Sequence, residues 1–214
     1  SYKANKILLL KRIVNTYLSP KIHGSFNKNK AFEVNIEPTK LALLFYKITS
    51  RLWFFPSMYL SKFWVGAKKD GDRGYTTFMK IDDKALFLIE NLQELIDEKN
   101  APILDIGCNV GRFLNLLAKD GCTNLTGIDI NQLAINDSYK VYPELSGKAE
   151  MKCETIQGFL SQANENQFDL IYSYGATVEL VHPTFPLVKN LARVSSKYVC
   201  LFISENQSYV RFWE

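Results

Sequence analysis

Two acids and two glycines carry the chemistry that can be read from this chain. In PILDIGCNVGRFLNLL, residues 102–117, an apolar run closes on Asp105, and Gly107 and Gly111 follow before a helix-like apolar pattern begins. A tight turn of this kind sets main-chain N–H groups and a helix N-terminus at the carboxyl end of a strand, where open α/β sheets bind ligands. A second acid, Asp129, ends the next apolar run 24 residues later. A carboxylate there can accept both hydroxyls of a ribose. Dinucleotide sites use G-x-G-x-x-G, so that a pyrophosphate can rest on the turn. Here Gly107-Cys108-Asn109-Val110-Gly111 lacks the middle glycine, and Asp105 stands two residues before the turn. That carboxylate would repel a pyrophosphate and attract a positively charged amino-acid group.

The flanking pattern supplies elements to hold these groups. Apolar runs at 102–106, 124–130, 149–155, 168–173 and 197–203 predict five short strands. Helical periodicity predicts helices at 82–98, 111–119, 131–141 and about 184–194. Strands alternating with helices imply βα units on a parallel sheet. Upstream, 3–18 reads as a basic helix, 20–38 as a loop rich in Lys, Asn, Gly and Pro, 40–53 as a second helix, and 68–75 as a turn-rich stretch.

Composition narrows the class. Cys108, Cys122, Cys153 and Cys200 show no C-x-x-C spacing, and the chain has only two histidines, so neither a zinc cluster nor a disulfide framework is expected. No secretory leader is evident, and the apolar stretch 41–65 is broken by Lys47, Arg51, Pro56 and Lys62, short of a membrane span. A cytoplasmic setting is the expectation. Residues 1–70 hold 13 Lys/Arg against 3 Asp/Glu, whereas 71–214 hold 13 against 19. The N-terminal part therefore suits either an anionic partner or the acidic remainder of its own chain.

On these residues the chain resembles the class I S-adenosylmethionine-dependent methyltransferases. LDIGCNVGRFL is similar to their first motif, GIDIN to their acidic second-strand motif, and FDLIYSYGATVELVHP to their fourth-strand motif. The resemblance spans about 100–204 and implies a Rossmann-like, doubly wound, mostly parallel α/β sheet. It divides the chain into an N-terminal helical extension or lid, 1–80, and a cofactor-binding domain, 81–214. S-adenosylmethionine is the implied cofactor, and no metal is implied. Asp105 would hold the methionine ammonium directly or through water. Gly107, Cys108, Asn109 and Gly111 would line the cofactor, Asp129 would take the ribose hydroxyls, and Ile130 would lie against the adenine. Glu154 would meet the adenine amino group, and Ser173 and Tyr174 would close over the methionine side. Arg73 and Tyr75 would reach the cofactor carboxylate, or else belong to a solvated turn.

Methyl transfer mainly requires an acceptor in line with the sulfonium carbon, and a hydroxyl acceptor also needs a base. His182 is the first candidate and Glu179 the second; His182 is equally readable as a cap before Pro183. Ser173-Tyr174-Gly175-Ala176 departs from the Asn/Asp-Pro-Pro-aromatic motif of many nitrogen methyltransferases, so oxygen is the favoured acceptor atom. Eight of the 25 residues from 41 to 65 are Phe, Tyr or Trp, among basic side chains. These suit a lipid-like or membrane-surface acceptor, a sugar or glycan, or plain packing. No RNA-binding motif accompanies the charge. Ten or so residues follow the fifth strand, too few for the strand hairpin that usually completes this family's sheet, so the expectation is a fragment or a reduced sheet. Two other classes compete: a non-catalytic methyltransferase-like scaffold, and a nicotinamide-dependent oxidoreductase, which G-x-x-x-G disfavours.

Overall fold

The structure is a computed structural model that describes residues 21–25, 33–37, 64–71, 74–175, 181 and 185–202. The chain divides into two compact units, Ser1–Leu60 and Ser61–Glu214. In the first, β1 (Lys21–Ser25) and β2 (Glu33–Glu37) pair antiparallel, with Ile22 opposite Ile36 and Gly24 opposite Val34. This corrects the loop expected over 20–38. The alternation Val34, Ile36 was a strand signal, but the surrounding Lys, Asn, Gly and Pro masked it. The helices expected at 3–18 and 40–53 lie outside the described residues.

The second unit is built on a five-stranded parallel sheet of order β5-β4-β3-β6-β7. Its strands are β3 (Ile103–Ile106), β4 (Leu125–Asp129), β5 (Ala149–Cys153), β6 (Phe168–Tyr174) and β7 (Ser195–Phe202). All five expected strands form, and the sheet with its flanking helices is the doubly wound, Rossmann-like arrangement. The chain runs outward from β3 through β4 to β5, then returns to place β6 on the other side of β3. The switch point, and with it the ligand crevice, therefore lies at the carboxyl ends of β3 and β6.

The central strands β3, β4 and β6 are apolar on both sides, and both faces of the sheet are covered there. β3 is buried along its whole length. One face packs against α1 (Asp83–Glu94), α2 (Arg112–Lys119) and α3 (Gln132–Val141), in a core that includes Leu88, Leu92, Leu114, Leu117, Ile103 and Leu170. The other face packs against α4 (Ile156–Gln162) and α5 (Leu187–Val194), through Leu104, Ile106, Ile171, Leu160, Leu191 and Val194. Among the described residues no helix is long and apolar enough to cross a membrane.

Helix α4 was not anticipated. Ile156, Phe159 and Leu160 have helical spacing, but the segment is only seven residues long and contains Gly158. The Thr155 side chain caps its start by accepting from the Gly158 amide at 3.0 Å. Its end is held from another element. The Arg193 guanidinium of α5 donates to the carbonyls of Ala163 at 2.7 Å and Leu160 at 2.5 Å, satisfying groups that a helix C-terminus leaves open.

Glycine in β4 has a packing role. A Cβ at Gly127 would lie 2.6 Å from Leu114 Cδ1, 2.8 Å from Cys108 Sγ and 3.0 Å from Met151 Sδ. Its absence leaves room for the turn after β3 to fold over β4.

Two outcomes follow from this packing. Gly127→Ala is expected to cost about 1–3 kcal/mol in urea denaturation, the range for overpacking a close-packed core, with part of the loss recovered by adding Cys108→Ala. Arg193→Ala is expected to cost roughly 1–3 kcal/mol, because it strands two carbonyls at the end of α4. Arg193→Lys should restore only part, since an ammonium lacks the fork that reaches both carbonyls.

Candidate active site

The turn after β3 is closed by its own hydrogen bonds. The amides of Gly107 and Cys108 both donate to the Ile128 carbonyl, at 2.8 and 3.0 Å, hooking the turn onto the last residues of β4. The Asn109 amide donates to Asp129 Oδ2 at 2.8 Å. Asn109 Oδ1 then accepts from the Val110 amide at 2.8 Å, and the Gly111 amide returns to the Cys108 carbonyl at 2.8 Å. Five successive amides are thus consumed inside the turn and by β4, so none of them is left to cradle a phosphate.

This path requires a left-handed backbone at every second residue: φ is +79° at Gly107, +52° at Asn109 and +91° at Gly111. The missing middle glycine is explained by Asn109, since asparagine enters the left-handed region more readily than other residues with a side chain. The missing glycine is legible in the sequence; that Asn109 takes over its conformational role was not anticipated.

Asp129, at the end of β4, is fixed from two sides. Its Oδ2 takes the Asn109 amide and its Oδ1 takes the Asn131 amide, both at 2.8 Å. Asn131 was not singled out in the sequence. Its side chain also caps α3, accepting from the Leu133 and Ala134 amides at 3.1 and 3.3 Å. Each Asp129 oxygen thus accepts one amide N–H, and a carboxylate oxygen can accept a second hydrogen bond. Burial raises the carboxyl above its ordinary range, while the bonds from the Asn131 and Asn109 amides oppose the rise.

Asp105 lies at the end of β3, directly opposite Tyr172 of β6. It is only 2% exposed, and the Tyr172 hydroxyl donates to its Oδ2 at 3.0 Å. Burial pushes the carboxyl up to about 7, against the Tyr172 bond, which favours the charged form. Cys108, also buried, has its thiol pushed up by burial and by the two acids, so it is a wall residue and not a thiolate.

The adenine-side candidates stand on neighbouring strand ends. The Glu154 amide donates to the Asp129 carbonyl at 3.0 Å, which sets the two residues side by side. Glu154 Oε1 accepts from the Thr155 amide at 3.0 Å, and a Cβ at Gly158 would meet it at 2.4 Å, so the carboxylate folds over the start of α4. Ile130 is partly exposed beside them, and its carbonyl accepts from Cys153 Sγ at 3.7 Å.

Across the switch point, Ser173 is buried and, among the described residues, its hydroxyl has no hydrogen-bond partner. Tyr174 stacks on Phe202 at 5.1 Å and leans on Phe113 at 5.2 Å. The Arg112 guanidinium lies 4.3 Å above the Phe113 ring and donates to the Lys80 carbonyl. Tyr75 is buried in the second unit, against Val110 and Ala134, and its hydroxyl donates to Asp137 at 2.5 Å. Burial, reinforced by Asp137, pushes that phenol up to about 12. Arg73, Glu179 and His182 lie outside the described residues. Among the described residues no group of three or more His, Cys, Asp or Glu side chains is placed to hold a metal.

The donor set suits S-adenosylmethionine better than a dinucleotide. Two acids on adjacent strand ends offer acceptors for an ammonium and for ribose hydroxyls, and the closed turn offers nothing to a pyrophosphate.

Residues 103–197 match a family model described as a methyltransferase domain. Among solved structures, the chain is similar to a S-adenosylmethionine-dependent methyltransferase from Thiobacillus denitrificans in complex with S-adenosyl-L-homocysteine. Identity is 19% over 53% of this chain and 46% of that one, with a TM-score of 0.43. It is also similar to the enzyme of the same description from Geobacter sulfurreducens, at 22% identity over 59% of this chain and 49% of that one, TM-score 0.45. The chain thus spans about half the length of these two proteins. The hooked glycine turn and the paired acids fall within residues 103–197, the stretch that matches the methyltransferase-domain model.

Proposed function

We propose that the chain binds S-adenosylmethionine at the carboxyl ends of β3, β4 and β5 and transfers its methyl group to a small-molecule acceptor. The observation that carries this reading is the turn whose five amides are all internally bonded while Asp105 and Asp129 end the strands beside it. When bound, the cofactor supplies an electrophilic methyl on a sulfonium. Asp129, held by two amides, accepts the ribose hydroxyls, and Asp105 receives the amino-acid ammonium directly or through water. Ile130 lies against the adenine, and Glu154 meets its amino group by turning away from the Thr155 amide. Gly107, Cys108, Asn109 and Gly111 wall the site, and Ser173 offers its unpartnered hydroxyl on the methionine side. Arg73 is assigned to the cofactor carboxylate.

The acceptor we favour is a hydroxyl of a sugar, glycan or lipid-like molecule, with His182 removing its proton and Glu179 as the second candidate base. Support for this comes from sequence: the Ser173-Tyr174-Gly175-Ala176 run, and the basic, aromatic character of residues 1–80, which we assign to acceptor contact at an anionic or membrane surface. A cytoplasmic location accords with that assignment.

Calorimetric titration with S-adenosyl-L-homocysteine tests the cofactor site. Micromolar binding is expected, weakened roughly 10- to 100-fold by Asp129→Ala, the range for losing hydrogen bonds to a charged group. A well-folded chain that binds no S-adenosyl-L-homocysteine would overturn the reading and leave a methyltransferase-like scaffold.

The raised Asp105 carboxyl adds a pH dependence. In the free chain it is protonated below about 7, and only the charged form attracts an ammonium. Affinity for S-adenosyl-L-homocysteine is therefore expected to rise from pH 6 to 8, with proton release on binding, and Asp105→Asn should flatten the profile. Stability of the free chain runs the other way. The folded state holds this proton more tightly than the unfolded state, so stability falls as pH rises from about 4 through 7. Melting temperatures of the free chain and of Asp105→Asn across that range check the sign.

A further inference from the structure

We propose that Tyr172 is a positioning residue for the ammonium-binding acid: its hydroxyl fixes the Asp105 carboxylate by one oxygen and leaves the other for the methionine ammonium. This rests on the assignment of Asp105 made above. Tyr172 and Asp105 are paired in the β6–β3 register, so their side chains share one face of the sheet. The hydroxyl donates to Oδ2 at 3.0 Å, and Tyr172 is wholly buried. The ring stands edge-on to Phe113, with centroids 6.4 Å apart and planes at 89°, which holds its orientation. A phenylalanine would fill the same space, so what the hydroxyl adds is its bond to Asp105. Among the described residues no donor is bonded to Oδ1, so the bond to Tyr172 presents one free acceptor in a fixed orientation.

Among the described residues, the charged and titratable groups facing Asp105 are Tyr172 from β6, Asp129 from β4, Arg112 from α2 and the Cys108 thiol from the turn. Asp129 opposes the charged carboxylate and Arg112 favours it. Among the described residues, Tyr172 is the one side chain hydrogen-bonded to it. In a buried site such a bond counts strongly, because a carboxylate deprived of it has no water to replace it. Tyr172 thus couples β6, on the acceptor side of the switch point, to the acid on β3 that receives the cofactor's charge.

The test compares two nucleosides on the full chain. S-adenosyl-L-homocysteine carries the ammonium; 5′-methylthioadenosine keeps the adenosine and thioether but lacks the amino-acid group. Tyr172→Phe is expected to weaken S-adenosyl-L-homocysteine binding by on the order of tenfold, the scale of a hydrogen bond to a charged group, and to leave 5′-methylthioadenosine within about twofold. The pH at which S-adenosyl-L-homocysteine affinity is half-maximal should move upward, because the bond that favours the charged carboxylate is gone. In the Asp105→Asn background, Tyr172→Phe should no longer change the ratio of the two affinities.

Equal weakening of both ligands, no weakening of either, or an undiminished effect in the Asp105→Asn background would each overturn the proposal. If Tyr172→Phe unfolds the chain, its combination with Asp105→Asn decides: recovery of folding supports a hydroxyl that holds the buried acid, and failure of both marks a structural residue and overturns it. A wild-type chain that binds neither nucleoside overturns the cofactor reading itself, whereas wild-type binding with an unchanged Tyr172→Phe profile overturns only the role of Tyr172.

Discussion

The site depends on the attachment of the turn after β3 to the end of β4. The Gly107 and Cys108 amides share the Ile128 carbonyl, and the next amide, from Asn109, reaches the Asp129 carboxylate. Parallel strands alone would align β3 and β4 along their length. These three bonds go further, locking the chain leaving β3 to the acid that ends β4. The same bonds spend the amides that a phosphate site would need, so the choice of ligand follows from the way the turn is closed. Gly127 belongs to this arrangement too: with no Cβ, it admits Cys108 and Leu114 above β4.

Around this attachment the electrostatics are economical in groups. Two carboxylates sit near each other in a half-buried or buried setting, each costly to charge unless hydrogen-bonded. Asp129 is held by main-chain amides, rigid donors set by the turn and by the start of α3. Asp105 is held by a side chain from across the switch point. One acid is therefore tied to the turn and the start of α3, and the other to β6. A cationic ligand relieves the strain of burying Asp105 in a way that a neutral or anionic ligand does not.

Much of the doubly wound architecture was legible from periodicity, because most of its strands are compact apolar runs and most of its helices carry one apolar stripe. The exceptions have local causes. Helix α4 is seven residues long, interrupted by Gly158 and finished by Arg193 from α5, a partner that no local pattern reveals. The hairpin β1–β2 was hidden in polar, turn-rich composition. At the site, Asp105, Gly107, Gly111 and Asp129 stood out by type and spacing. Asn109 in the left-handed region was deducible in principle from the tolerance of asparagine there.

The sequence by itself determined the alternation of strand and helix, the two acids at strand ends and the glycines of the turn. All are written in residue type and in spacing along one segment. Only the tertiary structure decided which groups those acids meet. That Tyr172 faces Asp105 depends on the β6–β3 register, and that Asn131 both caps α3 and grips Asp129 depends on where β4 stops. Register and strand order join residues 67 positions apart, as with Tyr172 and Asp105, and no local pattern encodes such a pairing.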